Sequence, residues 1–98
     1  MSAQSLEALE RANHVRLRRA AIRREIADGQ RAVADVLADV PPEMATMSVL
    51  NLLCAQHRWG GSRAQRVLRA TGIAGHRPVG ALTDRQRDAL IARLQGWA

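Results

Sequence analysis

The sequence predicts an all-α domain of about five helices. Its 98 residues include only two aromatic side chains, both Trp, so the core must be aliphatic, whereas β-sheets favour aromatic and β-branched residues. Apolar residues recur at helical spacing in several segments, and capping residues, glycines or prolines bound those segments. A chain of this length forms one domain with a modest core.

The first predicted helix is long and basic. Ser5 can cap it, and it runs for roughly twenty residues or more before Asp28-Gly29. One side carries Leu6, Leu9, Leu17 and Ala20 or Ala21, interrupted by Asn13, and the opposite side carries Val15, Ile22 and Ile26. Because neither side forms a continuous stripe, we expect the N-terminal half to project into solvent. Residues 1–28 are predicted as a projecting basic helix and residues 29–98 as the packed domain.

Three of the other helices are bounded by local signals. The second carries Val33, Val36, Leu37 and Val40 on one face and stops at Pro41-Pro42. Thr46 or Ser48 caps a short, nearly all-apolar third helix, the expected centre of the core, in which Cys54 is expected to be buried. The fifth begins with a capping box of Thr83 and Gln86 and directs Leu90, Leu94 and Trp97 inward.

The fourth helix follows a glycine turn and belongs to the segment around which the chain is organised, residues 57–73. Ser62 is predicted as the N-cap of a helix over residues 63–71, and Gly72 with Ile73 predicts a Schellman-type stop. Bare backbone N–H groups at a helix N-terminus attract anions, and arginines surround this turn. The turn is therefore a candidate anion site.

The net charge is +6, and it is unevenly distributed along the chain. The chain has no Lys, so all of its strongly basic side chains are Arg. Residues 57–77 carry five Arg and no acidic residue, and residues 1–31 carry seven Arg against four acidic residues. Between these zones, residues 32–56 carry three acidic residues and no basic one. Two basic zones predict a polyanionic partner, and a phosphate backbone is the simplest one.

Several classes of function are not expected. A single Cys cannot form an intramolecular disulfide, and no signal peptide or apolar run near the ~18 residues of a membrane span is present, so a cytoplasmic protein without membrane contact is expected. His14, His57 and His76 lack the spacing of metal ligands. Without a carboxylate pair, a Ser/His/Asp set or a P-loop, neither an enzyme nor a cofactor site is predicted.

Five short segments follow a recognisable pattern: SVLNLL at 48–53, WGGSRA at 59–64, VL at 67–68, TGI at 71–73 and RPVGAL at 77–82. Together with the basic N-terminal helix, they resemble the actinobacterial integration host factor family. The resemblance implies a helix–two-turn–helix domain that binds DNA. Gly60, Arg63-Ala64 and Arg77 match that family, whereas His57, Arg58, Trp59 and Gly61 stand where its turn has Pro, Gly, Val and Lys.

The resemblance implies a nucleoid-associated protein of bacterial or phage origin. Such a protein binds double-stranded DNA with low sequence specificity, bends or compacts it, and assists site-specific recombination, so a recombinase is a possible partner. A monomer is expected. The candidate DNA-binding residues are Arg58, Gly60, Gly61, Ser62, Arg63, Arg66 and Arg77 near the turn, and Arg16, Arg19 and Arg23 along the first helix.

Alternatives remain open from the sequence. The same domain type in a ribosomal setting binds RNA, and a diverged copy can act mainly through protein partners. The glycine turn can be an ordinary helix connection, and the arginines of the first helix can form a solvated face. Trp59 can fill its own domain instead of stacking on a base.

Overall fold

The computed structural model describes residues 3–56 and 58–95. Over these residues the chain forms five α-helices and two 3₁₀ turns, in the order α1 (Ala3–Ala27), α2 (Val33–Ala38), a 3₁₀ turn (Pro42–Met44), α3 (Val49–Ala55), α4 (Gly61–Thr71), a second 3₁₀ turn (Val79–Ala81) and α5 (Asp84–Gln95). The predicted all-α architecture is confirmed. The predictions for His57 and Trp97 lie outside the described residues. None of the helices in this part of the chain is long and apolar enough to cross a membrane.

Helix α1 projects in its first half only. Side chains from residue 5 to residue 14 are exposed, whereas Ile22 and Ile26 are fully buried against the domain. The second half of α1 therefore packs on the core, and the projection is confined to the first half, while the division of the chain at residue 28 stays a prediction. The prediction that Ser5 caps this helix is wrong, because α1 already includes Ala3. As predicted, the helix ends before Gly29, which has a φ of 80°.

The core lies where α3 meets α1, α2 and α4, and α5 closes it by packing on α2 and α4. Val49, Leu52 and Leu53 of α3 are fully buried, as predicted for the central helix. Cys54 is exposed, so the prediction that it is buried is wrong. Successive residues of a helix point in different directions. In this seven-residue helix Leu53 lies on the inner side, and the next residue, Cys54, lies on the outer side.

The predicted helix ends are largely confirmed. The Ser48 hydroxyl accepts a hydrogen bond from the Asn51 N–H at 3.2 Å, and the Thr83 and Gln86 side chains accept from each other's backbone N–H at 3.1 and 3.0 Å. Gly72 has a φ of 70°, and the Ile73 N–H donates to the Leu68 carbonyl at 3.1 Å, as in a Schellman motif.

The segment after α4 is fastened to the start of α3 through the backbone. The Val49 and Leu50 N–H groups donate to the carbonyls of Arg77 at 2.9 Å and Gly75 at 3.0 Å. The Gly80 N–H donates in turn to the Ala45 carbonyl at 2.8 Å. These contacts and the Ser48 cap satisfy the first N–H groups of α3, so α3 presents no free helix N-terminus for an anion.

Gly80 is required by this close approach. A Cβ at position 80 would lie 2.9 Å from the Ala45 Cβ and 3.1 Å from its carbonyl oxygen. Gly80→Ala should therefore lower the free energy of unfolding by about 1–3 kcal/mol, the usual cost of overpacking. Urea unfolding followed by circular dichroism measures this change. Gly61→Ala is the matched control, because a Cβ at 61 meets nothing within 4 Å; equal losses in both variants would contradict the steric account.

Candidate nucleic-acid interface

The glycine turn leads directly into α4, which begins two residues earlier than predicted. Gly60 is the N-cap, with φ −104° and ψ 173°, and its carbonyl accepts from the Ala64 N–H at 3.2 Å. Ser62 lies inside the first turn, so its predicted role as N-cap is wrong. Gly60 has no side chain with which to cap the helix. The first N–H groups of an α-helix have no partner within the helix.

Neither Gly60 nor Gly61 is required by the fold itself. A Cβ at either position would have no neighbour within 4 Å, and the φ of Gly60 is negative, so any residue can adopt it. What the two glycines do is leave the space beside the first turn of α4 empty. A helix N-terminus that bulky anions can approach closely is a favourable phosphate site.

The strained residue of the turn is Arg58. Among the described residues it is the one non-glycine residue with positive φ, at 63°. The left-handed region costs an L-residue about 1–2 kcal/mol relative to glycine. Arg58 thus places an exposed positive charge beside the turn at a position where glycine would be more relaxed.

Arg58→Gly should keep or raise the melting temperature, because relief of strain offsets the roughly 0.5–1 kcal/mol by which glycine favours the unfolded chain. Arg58→Val should lower it, since a β-branched residue is disfavoured at positive φ. Thermal unfolding at one pH and salt concentration compares the two variants. If Arg58→Val proved the more stable protein, the left-handed conformation at this position would be disproved.

Trp59 and Arg63 form a unit at the edge of the turn. The indole is half-buried and packs against the hydrophobic core. The Arg63 guanidinium carbon lies 5.5 Å from the centroid of the ring, within cation–π distance. Trp59 therefore fills its own domain, and its ring orients the Arg63 side chain next to the start of α4.

The exposed side of α4 continues the turn as a basic surface. Gly61, Ser62, Arg66 and Arg69 line an open groove between α4 and α3. Arg66 and Arg69 are exposed and follow Ser62 at helical spacing. We call Gly60, Gly61, Ser62, Arg63, Arg66 and Arg69 the turn surface. The structure thus brings five of the predicted site residues together and adds Arg69.

Besides Arg69, residues of other helices that were not among the predicted site residues contribute to this region. Cys54 of α3 lies in the same groove, and Arg93 of α5 lines a shallow depression with Arg66, Val67 and Ala70 of α4. Both depend on how helices distant in sequence pack together, so no local pattern could have identified them.

The remaining predicted site residues lie on other elements. Arg77 is half-buried as a residue, and its guanidinium donates to the Ala81 carbonyl through Nε at 3.2 Å and Nη2 at 3.1 Å. Arg19 donates to the Glu43 carbonyl and the Thr46 hydroxyl, and so ties α1 to the loop before α3. Arg16 and Arg23 are exposed on α1. Of the three α1 arginines predicted as site residues, Arg19 is therefore the one engaged in holding the fold together.

Comparison with solved structures identifies the architecture. The structure of sIHF bound to an 8-base-pair palindromic DNA matches with a TM-score of 0.77, at 23% sequence identity, over 87% of this chain and 98% of that chain. The fold is that of sIHF. This confirms the helix–two-turn–helix architecture with a long N-terminal helix. No protein-family model matches the sequence, and no curated protein matches it.

No metal centre accompanies this surface in the described part of the chain. Over residues 3–56 and 58–95, no three His, Cys, Asp or Glu side chains are grouped so that they could hold a metal ion. The groups available for binding are backbone N–H groups, one hydroxyl and guanidinium groups. Such a set recognises anionic oxygen atoms.

Proposed function

We propose that this protein is a nucleoid-associated protein of the integration host factor type, which binds duplex DNA through the sugar-phosphate backbone with little sequence preference. The observation that carries the proposal is the open glycine turn at the start of α4, where a Cβ at Gly60 or Gly61 would meet nothing. Glycines at which a side chain would meet no neighbour fit a surface that must let a second molecule approach. The shared fold with sIHF, solved on DNA, supports the same conclusion.

The turn surface would hold one DNA strand. The N–H groups of Gly61 and Ser62 and the Ser62 hydroxyl donate to phosphate oxygens, and the positive end of the α4 dipole adds to the attraction. Arg63 and Arg66 neutralise the neighbouring phosphates, and Arg58 adds charge on the other side of the turn. These contacts read the backbone and not the base edges, which accounts for low sequence specificity.

A second contact would come from α1. Arg16 and Arg23 are exposed and lie two turns apart on the same side of α1. They can neutralise phosphates further along the same duplex or on another one. A protein that holds DNA at two separated places bends or compacts it. Bending of the DNA by these two contacts is how the protein would assist a recombinase.

Binding to unrelated duplexes should depend strongly on salt. Neutralisation of about four or five phosphates predicts d log K/d log[salt] near −4, at roughly −0.9 per phosphate. Fluorescence anisotropy with two duplexes of unrelated sequence, at several salt concentrations, measures the slope. Salt-independent affinity, or binding to one sequence alone, would contradict backbone recognition.

The same assay separates DNA from RNA as the partner. Unlabelled duplex RNA of equal length is added as competitor at fixed salt. Weak competition is expected, because A-form RNA places its phosphates differently from B-form DNA, so that the turn surface and the α1 arginines cannot fit both duplexes equally well. If RNA displaced the labelled duplex more efficiently than DNA did, the protein would be an RNA-binding module.

A further inference from the structure

Helix α1 carries an apolar stripe on the side that faces away from the domain. Leu6, Leu9 and Leu17 are 54, 57 and 61% exposed, and they recur at helical spacing with Ala20 on one face. The helix docks on the domain through Ile22 and Ile26 of the opposite face. Three large apolar side chains in line on an exposed helix are typical of a surface that another helix covers.

The stripe is symmetric about Asn13. Leu9 and Leu17 lie four residues to either side of Asn13, and Leu6 and Ala20 lie seven residues to either side. If a second copy of α1 lies antiparallel with the two Asn13 residues facing each other, each Leu9 meets the partner's Leu17. Each Leu6 then meets the partner's Ala20. In place of the monomer expected from the sequence, we propose that α1 is a self-association element that pairs with α1 of a second copy in this antiparallel register.

The charges along α1 favour this orientation. Glu7 and Glu10 lie in the first half, whereas Arg16, Arg18, Arg23 and Arg24 lie in the second half, and all of them are exposed. In an antiparallel pair each acidic half lies beside the partner's basic half, and a parallel pair would place like charges together. Arg11 is the basic residue of the first half, and it lines the same groove facing Pro42 and Glu43 as Glu7 and Glu10 do. The first half therefore keeps a net negative charge beside the strongly positive second half of the partner.

Asn13 fixes the register. On the two-fold axis of the pair, each Asn13 amide can donate to the partner's amide and accept from it. Any shift of one helix along the other would leave both amides facing leucine without a partner. A single Asn in an apolar helix seam selects one register and one number of chains at some cost in stability.

The rest of the fold is compatible with this pairing. The domain lies on the other side of α1, where Arg19 holds the Glu43 carbonyl and Thr46. Two copies would therefore carry their domains on the outside of the helix pair. A dimer would present two turn surfaces and could bridge two duplexes, although the pairing itself does not depend on DNA binding.

Sedimentation velocity of the full chain over a concentration series, without DNA, tests self-association. We expect a concentration-dependent shift from the mass of one chain to that of two, and loss of this shift in Leu9→Glu and Leu17→Glu. Both leucines are exposed, so circular dichroism should show that these variants remain folded. Ala89→Glu, which adds the same charge to the exposed side of α5, is the matched control and should still dimerise. A chain that stays monomeric throughout the series overturns the proposal.

Disulfide trapping tests the orientation. In a Cys54→Ser background, which removes the exposed native thiol, Leu9→Cys and Leu17→Cys proteins are oxidised separately and as a mixture. Because facing residues of an antiparallel pair come within disulfide distance, the mixture should yield the cross-linked dimer at least about tenfold faster than either protein alone. Fast cross-linking of each protein with itself would show a parallel pair and overturn the register.

Discussion

Gly60→Val should weaken binding to random duplex DNA by roughly ten- to a hundredfold and leave the fold intact. A β-branched side chain at this position would stand between the first turn of α4 and a phosphate. Loss of one hydrogen bond to a charged group, at about 1.5–3 kcal/mol, gives an effect of this size. The domain should lose no more than about 1 kcal/mol, because a Cβ at 60 meets no neighbour and only the N-cap preference for glycine is lost.

Affinities are measured by anisotropy at one salt concentration, and thermal unfolding confirms that each variant is folded. Gly60→Ala should show a smaller loss than Gly60→Val, because the obstruction is smaller. Arg63→Ala should cost about 1–3 kcal/mol of binding free energy.

Arg85→Ala is the matched control for charge. Arg85 is exposed in the first turn of α5 and outside the turn surface, whereas Arg93 lies beside Arg66 and is unsuitable. If Arg85→Ala weakened binding as much as Gly60→Val, affinity would arise from net charge, and the glycine turn would not be the binding site.

Ile22→Ala should lower the free energy of unfolding by about 2–5 kcal/mol, the range for truncating a fully buried isoleucine. Leu17→Ala, five residues earlier on the opposite face, should have little effect, because Leu17 is 61% exposed and Ile22 is 0% exposed. Urea unfolding is measured in dilute protein, so that self-association does not contribute. Equal losses in the two variants would mean that α1 packs on the domain through a different face.

Which face of α1 is buried could not be predicted from the sequence, although the helix itself could. Its two apolar sides are comparable in strength, and local spacing cannot choose between them. The choice is made by residues far away in the chain, because α1 docks on α3 and on the turn over Pro42–Met44. The same docking engages Arg19 with the Glu43 carbonyl, although nothing in the α1 sequence sets Arg19 apart from Arg16 and Arg23.

Sequence signals that act within about one turn of helix predicted the structure better than the apolar pattern of α1 did. The Ser48 cap, the box of Thr83 and Gln86 and the stop at Gly72 each depend on residues at most five positions apart, and each forms as predicted. The start of α4 is the exception among local signals. A hydroxyl at Ser62 predicted the N-cap there, but Gly60 takes that position, since glycine is also an accepted N-cap residue.

The candidate site was predictable in outline. The glycine turn and its arginines are adjacent in sequence, so their common surface follows from one helix. The left-handed conformation of Arg58 and the proximity of Arg93 to Arg66 were not predictable, because both are consequences of how the helices assemble. The overall arrangement of helices followed from the resemblance of residues 48–82 to a known family, since composition and periodicity predict helices but not their packing.

The backbone attachment of the segment after α4 to α3 affects how this protein can evolve. The bonds from Val49 and Leu50 to the Arg77 and Gly75 carbonyls, and from Gly80 to Ala45, involve backbone atoms alone. Most substitutions leave such bonds unchanged, so the exposed side chains along this segment are free to drift, while Gly80 must stay small and Val79 must stay apolar. A joint of this kind lets the architecture persist in lineages whose sequences have diverged widely, and the surface between the two attachment points can then be altered to suit new partners.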